Sequence, residues 1–170
     1  MTVKTAAEWS LASLIERGGV YAHVPGTNPR ELIASVIDLL PPVSLDKEQL
    51  LREILEREAL VSTGIGRGIA LPHPRNPLGE KEDRAMEASL PLVAVAYPAL
   101  PIDWNAPDGN KVHVVFLIVS STIKQHLNTL SGINFLCQQD EFYSLIQAQS
   151  SQEAIVTAIR EAETNWAGIS

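Results

Sequence analysis

One histidine in this sequence lies between two prolines, at the end of the segment VSTGIGRGIALPHPR that spans residues 61–75. Pro72 has a fixed φ angle, and Pro74 disfavours the helical region for the residue before it, so the backbone at His73 has few alternatives to an extended conformation. A neutral imidazole offers an unprotonated nitrogen near pH 7 while an acceptor orients its other N–H, which suits it to carry a phosphoryl group. The same residues leave two other hypotheses open, a structural histidine at the end of a strand and a metal ligand.

Three glycines, Gly64, Gly66 and Gly68, precede this histidine at intervals of two residues. A Walker loop would need Lys-Ser/Thr after its last glycine, and a dinucleotide-binding loop would need the spacing G-x-G-x-x-G before a helix; the segment has neither. Because glycine has no Cβ, such a loop lets an anion approach the backbone N–H groups, and we expect Gly64 and Gly66 to contact a phosphate. The alternative is a tight turn that enters a strand, which the glycines by themselves favour.

Three further side chains are candidates for holding a phosphoryl group. Arg57 ends a predicted helix just before the glycines, and a guanidinium binds phosphate oxygens in a bidentate manner, although Glu53 four residues earlier offers an ion pair instead. His126 lies near the start of a predicted amphipathic helix, where the helix dipole favours an anion; the alternative is a solvated residue on the first turn. Thr63 could donate its hydroxyl to a phosphoryl oxygen or act as a turn residue.

The remaining histidines and the cysteine favour structural roles. His113 alternates with apolar residues in a predicted strand, and we expect it and His23 to be satisfied core or edge histidines. Cys137 is the only cysteine, which excludes a disulfide framework and a cysteine-based zinc cluster. It has no basic neighbour in the sequence, so we expect an inert buried thiol.

The composition limits the classes of partner. The 170 residues carry a formal net charge of −7 and no run of Lys or Arg, which disfavours nucleic acid and anionic membranes as partners. The first ten residues contain no apolar core typical of a signal peptide, and the longest apolar run, VVFLIV at 114–119, is far too short to cross a bilayer. The sequence therefore predicts a cytoplasmic protein.

Two capping signals mark helix starts. Asn28 precedes Pro29 as an N-cap, and Glu31 is placed to close a capping box. Near the C-terminus, Ser150 and Glu153 have the spacing of a second capping box. We therefore expect one helix to follow each of these signals.

Other segments place strands between helices. Further helices are predicted over 44–58 and from about residue 122, and the β-branched segments at 92–97 and 112–119 predict strands. The second of these strands is apolar on both faces and is expected at the centre of a sheet. This alternation predicts an α/β fold, a single three-layer α/β/α domain over residues 1–170.

Four segments together resemble the IIA component of the bacterial phosphoenolpyruvate-dependent phosphotransferase system, of the fructose/mannitol type that includes the nitrogen-regulatory IIA proteins. These segments are RE at 57–58, STGIGRGIALPHPR at 62–75, IDWNAPDGNKVHVVFLIVSS at 102–121 and HLNTLSGINFL at 126–136. The likeness extends over residues 10–163 in the family's order. It implies a mixed β-sheet covered by helices on both faces.

The resemblance also implies roles for individual residues. His73 corresponds to the histidine that accepts the phosphoryl group from the phosphocarrier protein HPr or its nitrogen-branch counterpart. Arg57 corresponds to the family's active-site arginine, and His126 to the second histidine of the site. The implied activity is that of a phosphotransferase working through a phosphohistidine, with no ATP, metal or other cofactor.

Two downstream roles follow from this resemblance, and a third hypothesis stands outside it. In one role, phosphorylation switches the binding of a regulated protein; in the other, the chain passes the phosphoryl group to a IIB component during fructose/mannitol-type uptake. We expect the regulatory role, because the sequence shows neither an attached IIB domain nor a membrane segment. The third hypothesis, a metallohydrolase using His73, His126 and an acidic residue, is weak because the sequence lacks H-E-x-x-H or comparable ligand spacing.

Overall fold

The structure is a computed structural model that describes residues 10–42, 46–76 and 91–167. Within these ranges the chain forms six helices and five strands. In chain order they are α1 (Leu11–Gly18), β1 (Val20–Val24), α2 (Pro29–Leu39), α3 (Lys47–Leu60), β2 (Gly64–Gly66), β3 (Ile69–Ala70), β4 (Leu92–Pro98), β5 (Val114–Val119), α4 (Ile123–Cys137), α5 (Asp140–Gln147) and α6 (Gln152–Ala167).

The five strands form one mixed sheet in the order β1-β4-β5-β3-β2. β4 and β5 pair antiparallel at its centre, with Val95 opposite Phe116, and both strands are buried along their whole length. β1 runs parallel to β4, β3 runs parallel to β5, and β2 pairs antiparallel with β3 at the other edge. The predicted mixed sheet is confirmed, and so is the central position of the second predicted strand, which begins at Val114.

Apolar side chains of β4 and β5 alternate between two cores, one on each face of the sheet. On one face Val95 and Phe116 belong to a core with residues of α1, α4, α5 and α6. On the other face Ala94 and Leu117 belong to a core with residues of α2 and α3. Helices therefore cover both faces, and the predicted three-layer α/β/α arrangement is confirmed.

The start of α2 follows the predicted cap, but the capping box does not close as predicted. Asn28 accepts from the Glu31 N–H at 2.9 Å, with Pro29 as the first helical residue. The Glu31 carboxylate accepts instead from the N–H and the hydroxyl of Thr27, at 2.8 and 2.7 Å. The glutamate thus orders the residue before the cap rather than the cap itself.

The predicted second capping box is wrong by one residue. Ser151 begins the last helix, because its hydroxyl accepts from the Ala154 N–H at 3.3 Å. Ser150 is not available for this role, since its N–H donates to the Leu145 carbonyl at 3.1 Å and closes the end of α5. The prediction chose Ser150 because its spacing to Glu153 fits a capping box, whereas the adjacent Ser151 is equally suited to an N-cap by residue type.

Part of the sequence-based prediction lies outside the described residues. The predicted helix over 44–58 has Asp46 as its described N-cap, which accepts from the Gln49 N–H at 2.7 Å. Residues 43–45 and residues 1–9, the segment considered for a signal peptide, are not among the described residues. In the part of the chain that is described, no helix combines the length and apolar character needed to cross a membrane.

Candidate functional site

The segment after β3 places His73 beside the central strand β5. The Leu71 N–H donates to the Thr63 carbonyl, and the Pro72 carbonyl accepts from the Ile118 N–H, both at 3.0 Å. The side chain of His73 is buried, and its Nδ1 lies 2.7 Å from the carbonyl oxygen of Leu71. Because a carbonyl oxygen can only accept, Nδ1 carries the hydrogen, and Nε2 is the unprotonated nitrogen of the neutral ring.

The surroundings of His73 favour its neutral form. Burial lowers the pKa of this histidine, the hydrogen bond to the Leu71 carbonyl opposes that change, and the charge of Arg57 lowers the pKa further. The net direction is below the ordinary value, so the ring is neutral at pH 7. This is the form in which Nε2 acts as a nucleophile.

His126 brings a second imidazole to the first. The two ring centroids are 4.7 Å apart, with an angle of 57° between the ring planes. His126 lies in the first turn of α4, where its N–H donates to the Thr122 carbonyl at 3.0 Å. Burial, followed by the charges of His73 and Arg57, lowers the pKa of His126 to about 4. The residue is partly buried against His73, so the alternative of a solvated residue on the first turn is wrong.

Arg57 completes the cluster from the last turn of α3. Its charge lowers the pKa of both histidines, so the guanidinium is within electrostatic reach of the two rings. Its Nη1 donates to the Val61 carbonyl at 2.8 Å, just beyond the end of the helix. Of the predicted trio, His73 and His126 are therefore in ring contact, and Arg57 acts on both through its charge from a third element. The ion pair with Glu53 stays a hypothesis.

Thr63 has a partner that the sequence analysis missed. Both its N–H and its hydroxyl donate to the carboxylate of Glu58, the N–H at 3.1 Å. The same carboxylate accepts from the indole N–H of Trp104 at 3.1 Å. The single hydroxyl hydrogen of Thr63 is thus engaged, and its predicted contact with a phosphate requires an exchange of partners. A glutamate in the last helical turn, five residues before a threonine, was the available signal.

The glycines form a hairpin rather than an open loop. Gly64–Gly66 is strand β2, which pairs with β3 across a turn at residues 67–68. Gly66 and Gly68 have φ angles of +91° and +79°, and a Cβ on Gly68 would lie 2.0 Å from Nδ1 of His113. The alternative of a tight turn entering a strand is therefore confirmed. The phosphate contact of Gly64 and Gly66 stays a prediction, and the Gly64 N–H donates to the Ser62 hydroxyl at 3.1 Å.

The family is decided by a match over most of the chain. Residues 14–162 match the model of the family described as "Phosphoenolpyruvate-dependent sugar phosphotransferase system, EIIA 2". The chain belongs to this family. It is a IIA-type phosphocarrier of the phosphotransferase system, and the family inferred from the sequence is confirmed.

Two relatives and one solved structure are similar to this IIA chain over most of its length. A nitrogen regulatory protein of Klebsiella oxytoca is 31% identical over 125 residues, covering 72% of this chain and 72% of that protein. The fructose-specific EIIABC component of Bacillus subtilis (strain 168) is 27% identical over 157 residues, covering 89% of this chain but only 23% of that longer protein. The crystal structure of nitrogen regulatory protein IIA-Ntr from Neisseria meningitidis has a TM-score of 0.69 at 23% identity, covering 84% of this chain and 93% of that chain. This last similarity confirms the fold.

The two remaining histidines and the cysteine of the IIA chain have surroundings of their own. His23 is exposed on the edge strand β1, as predicted for an edge histidine. The prediction of a satisfied His113 is wrong, because its buried Nε2 has no partner among the described residues. The ring forms a T-shaped pair with Tyr143. Cys137 is buried as predicted, and burial raises the pKa of its thiol to about 12, which favours an inert thiol.

The described residues offer no ligand set for a metal. Groups of three or more His, Cys, Asp or Glu that could hold an ion do not occur in ranges 10–42, 46–76 and 91–167. His73 and His126 meet as a pair, and the third member of their cluster, Arg57, is a cation. The arrangement is suited to an anionic group, so the metallohydrolase hypothesis gains no support from these residues.

Proposed function

We propose that this IIA chain accepts a phosphoryl group on Nε2 of His73. The observation that carries the proposal is the pairing of His73 with His126 near Arg57, while the Leu71 carbonyl holds Nδ1 of His73. That hydrogen bond leaves Nε2 unprotonated, and the lowered pKa keeps the ring neutral at pH 7. A buried, oriented and neutral imidazole next to two groups that can face an anion fits the acceptor in phosphoryl transfer.

The transfer balances without an additional reactant. The donor is the phosphohistidine of an HPr-type phosphocarrier or its nitrogen-branch counterpart. The P–N bond of the donor breaks while a new P–N bond forms at Nε2 of His73, and the donor imidazole keeps the electron pair of the broken bond. Nε2 has no hydrogen to lose, so the step requires no general base, ATP, metal or other cofactor.

Arg57 and His126 are proposed to stabilise the oxygens of the phosphoryl group as it passes between the two imidazoles. The bond from Nη1 of Arg57 to the Val61 carbonyl leaves other N–H groups of the guanidinium for the phosphoryl oxygens. The backbone N–H groups of Gly64 and Gly66 are further proposed contacts. Thr63 takes part if its hydroxyl exchanges Glu58 for the phosphoryl group.

The downstream role we propose is regulatory. The similarity to proteins named nitrogen regulatory protein supports a switch in which the charge added at His73 changes the binding of a target protein. The EIIABC name of the Bacillus subtilis relative supports the alternative, in which His73 passes the phosphoryl group to a IIB component during sugar uptake. Affinity capture with the phosphorylated and unphosphorylated chain separates the two roles. Capture of a regulated kinase, channel or transcription factor supports regulation, and capture of a IIB component supports uptake.

We also propose that residues 1–170 form a single IIA domain that works in the cytoplasm. The first and last described helices pack together, and the N–H groups of Leu11 and Ala12 donate to the Glu163 carboxylate at 3.1 and 3.0 Å. Both helices contribute to the same core. Ends joined in this way should unfold together, so calorimetry is expected to show a single cooperative transition.

The deciding experiment is phosphorylation by phosphoenolpyruvate, the first enzyme of the system and a phosphocarrier. The wild-type chain is expected to gain one acid-labile, base-stable phosphate, and His73→Gln is expected to gain none. His23→Gln, a change on the opposite edge strand, is the matched control and should label like the wild type. Equal labelling of His73→Gln and wild type would overturn the proposal.

Substitution of Arg57 separates its two hypotheses. Arg57→Ala should slow phosphoryl acceptance by about a hundredfold or more, the effect of losing one charged donor to a transition state. Arg57→Lys should recover little of this, because an ammonium group lacks the planar pair of donors. Under the ion-pair hypothesis, Glu53→Gln would change stability as much as Arg57→Ala does, and all three variants would transfer at the wild-type rate.

A further inference from the structure

Ser120 meets His126 where β5 ends and α4 begins. Ser120 is the first residue after β5, and only 4% of it is exposed. Its hydroxyl oxygen lies 3.4 Å from Nδ1 of His126. The Ser121 N–H donates to the Gln125 side chain at 2.8 Å, and Thr122 caps the helix. The turn that joins the serine to the histidine is therefore held by hydrogen bonds of its own.

The two histidines of the cluster have different partners on Nδ1. The Leu71 carbonyl can only accept, so it requires a hydrogen on Nδ1 of His73. The Ser120 hydroxyl can donate or accept by rotation of its hydrogen. The contacts of the described residues give this buried hydroxyl one partner, Nδ1 of His126, and a buried hydroxyl hydrogen needs an acceptor. That requirement favours an unprotonated Nδ1 on the neutral ring of His126.

We propose that Ser120 is a positioning residue that keeps neutral His126 in the tautomer with its hydrogen on Nε2, so that Nε2 can donate to a phosphoryl group on His73. The role of this donor rests on the proposed function of His73. With the hydrogen on Nδ1, His126 would instead present an unshared electron pair to the phosphoryl oxygens, which repel it. Ser120 thereby decides whether the second histidine attracts or repels the phosphate.

The same hydroxyl also serves His126 when the ring takes up a second proton. Both ring nitrogens are then donors, and Nδ1–H donates to the Ser120 oxygen after the hydroxyl hydrogen has rotated away. The ring itself does not move in this exchange. A backbone carbonyl, the partner of Nδ1 in His73, cannot donate a hydrogen bond to the unprotonated Nδ1 of neutral His126. Only a group that both donates and accepts, such as the Ser120 hydroxyl, can bond to Nδ1 in both protonation states.

Nitrogen NMR of the histidine rings tests the tautomer directly. In the unphosphorylated wild type we expect His126 to show a protonated Nε2 and an unprotonated Nδ1. Ser120→Ala removes the donor and should give a mixture of the two tautomers at His126, with unchanged signals at His73. Ser131→Ala, at an exposed position of α4, the helix that carries His126, is the matched control and should leave the signals of both rings unchanged. An Nε2 signal of His126 that is the same in Ser120→Ala as in the wild type would overturn the proposal.

Phosphoryl acceptance supplies the second readout. Ser120→Ala should slow the labelling of His73 by about three- to tenfold, the effect of one neutral hydrogen bond, while Ser131→Ala labels at the wild-type rate. A wild-type chain that takes up no phosphate at His73 overturns the proposed function. In that case the NMR comparison of the wild type with Ser120→Ala still tests whether Ser120 sets the tautomer of His126. A labelled wild type with a normal labelling rate in Ser120→Ala overturns the role of Ser120 alone.

Discussion

Replacement of Glu58 by alanine tests whether the carboxylate at the end of α3 organises the site. This side chain accepts from three donors, which are the N–H and hydroxyl of Thr63 and the indole N–H of Trp104. Thr63 and Trp104 are only 5% and 2% exposed, so water has little access to the donors that Glu58→Ala would leave behind. The substitution should therefore cost more than the loss of an exposed charge.

The expected change in the free energy of unfolding follows from these donors. Leaving a buried donor without a partner costs about 1–3 kcal/mol. The Thr63 hydroxyl can rotate toward another acceptor, whereas the N–H groups of Thr63 and Trp104 cannot. Two such groups give roughly 2–6 kcal/mol, and water entering the space left by the side chain reduces the expectation to about 2–4 kcal/mol.

Urea denaturation measures this loss, with Glu56→Ala at an exposed position of the same helix as the matched control. The control should change the free energy of unfolding by less than about 0.5 kcal/mol. Glu58→Ala should also slow phosphoryl acceptance, because the Thr63 carbonyl holds the Leu71 N–H of the segment that carries His73. Equal midpoints for the Glu58 and Glu56 variants would refute the reasoning.

Three further outcomes are expected. Gly109→Ala should cost about 1 kcal/mol for its φ of +73°, and Gly68→Ala clearly more, because a Cβ there would also meet the His113 ring; urea melts compare the pair. The pKa of His126 is lowered from 6.5 to about 4, so the unfolded chain binds a proton at a higher pH than the folded chain does. The free energy of unfolding should therefore fall as the pH drops from 6.5 to 4, and urea melts of His126→Gln should show a smaller fall. Cys137, with its pKa raised to about 12, should react with a thiol reagent only after denaturation.

The position of His73 is predictable because the constraints on it are local. Pro72 and Pro74 restrict the backbone by their own covalent structure, and the structure finds this stretch outside helix and strand, next to β5. Gly68 is likewise readable as a turn residue, since its φ of +79° is a conformation that glycine adopts without cost. Patterns of this kind depend on neighbours in the chain and need no knowledge of the sheet.

Contacts between distant segments could not be predicted in the same way. The carboxylate of Glu58 joins Thr63 to Trp104, which lies 46 residues beyond the glutamate, and its presence could not be inferred from either segment alone. The separation of α5 from α4 was missed as well, because Gln139 begins α5 without a side-chain capping hydrogen bond, so no capping residue marks the break. Ser120 carries no sequence signal that distinguishes it from other serines near a helix start.

The direction of the strands explains why His73 and His126 meet. β3 and β5 run parallel, with Ile69 opposite Val114, so the carboxyl ends of the two strands lie at the same end of the sheet. His73 follows the end of β3 by three residues, and α4 starts four residues after β5 and carries His126 in its first turn. The edge beyond the carboxyl ends of parallel strands is where α/β proteins bind their ligands. A sequence pattern predicts strands without their direction, and had β3 paired antiparallel to β5, the two imidazoles would lie at opposite edges and could not share a phosphoryl group.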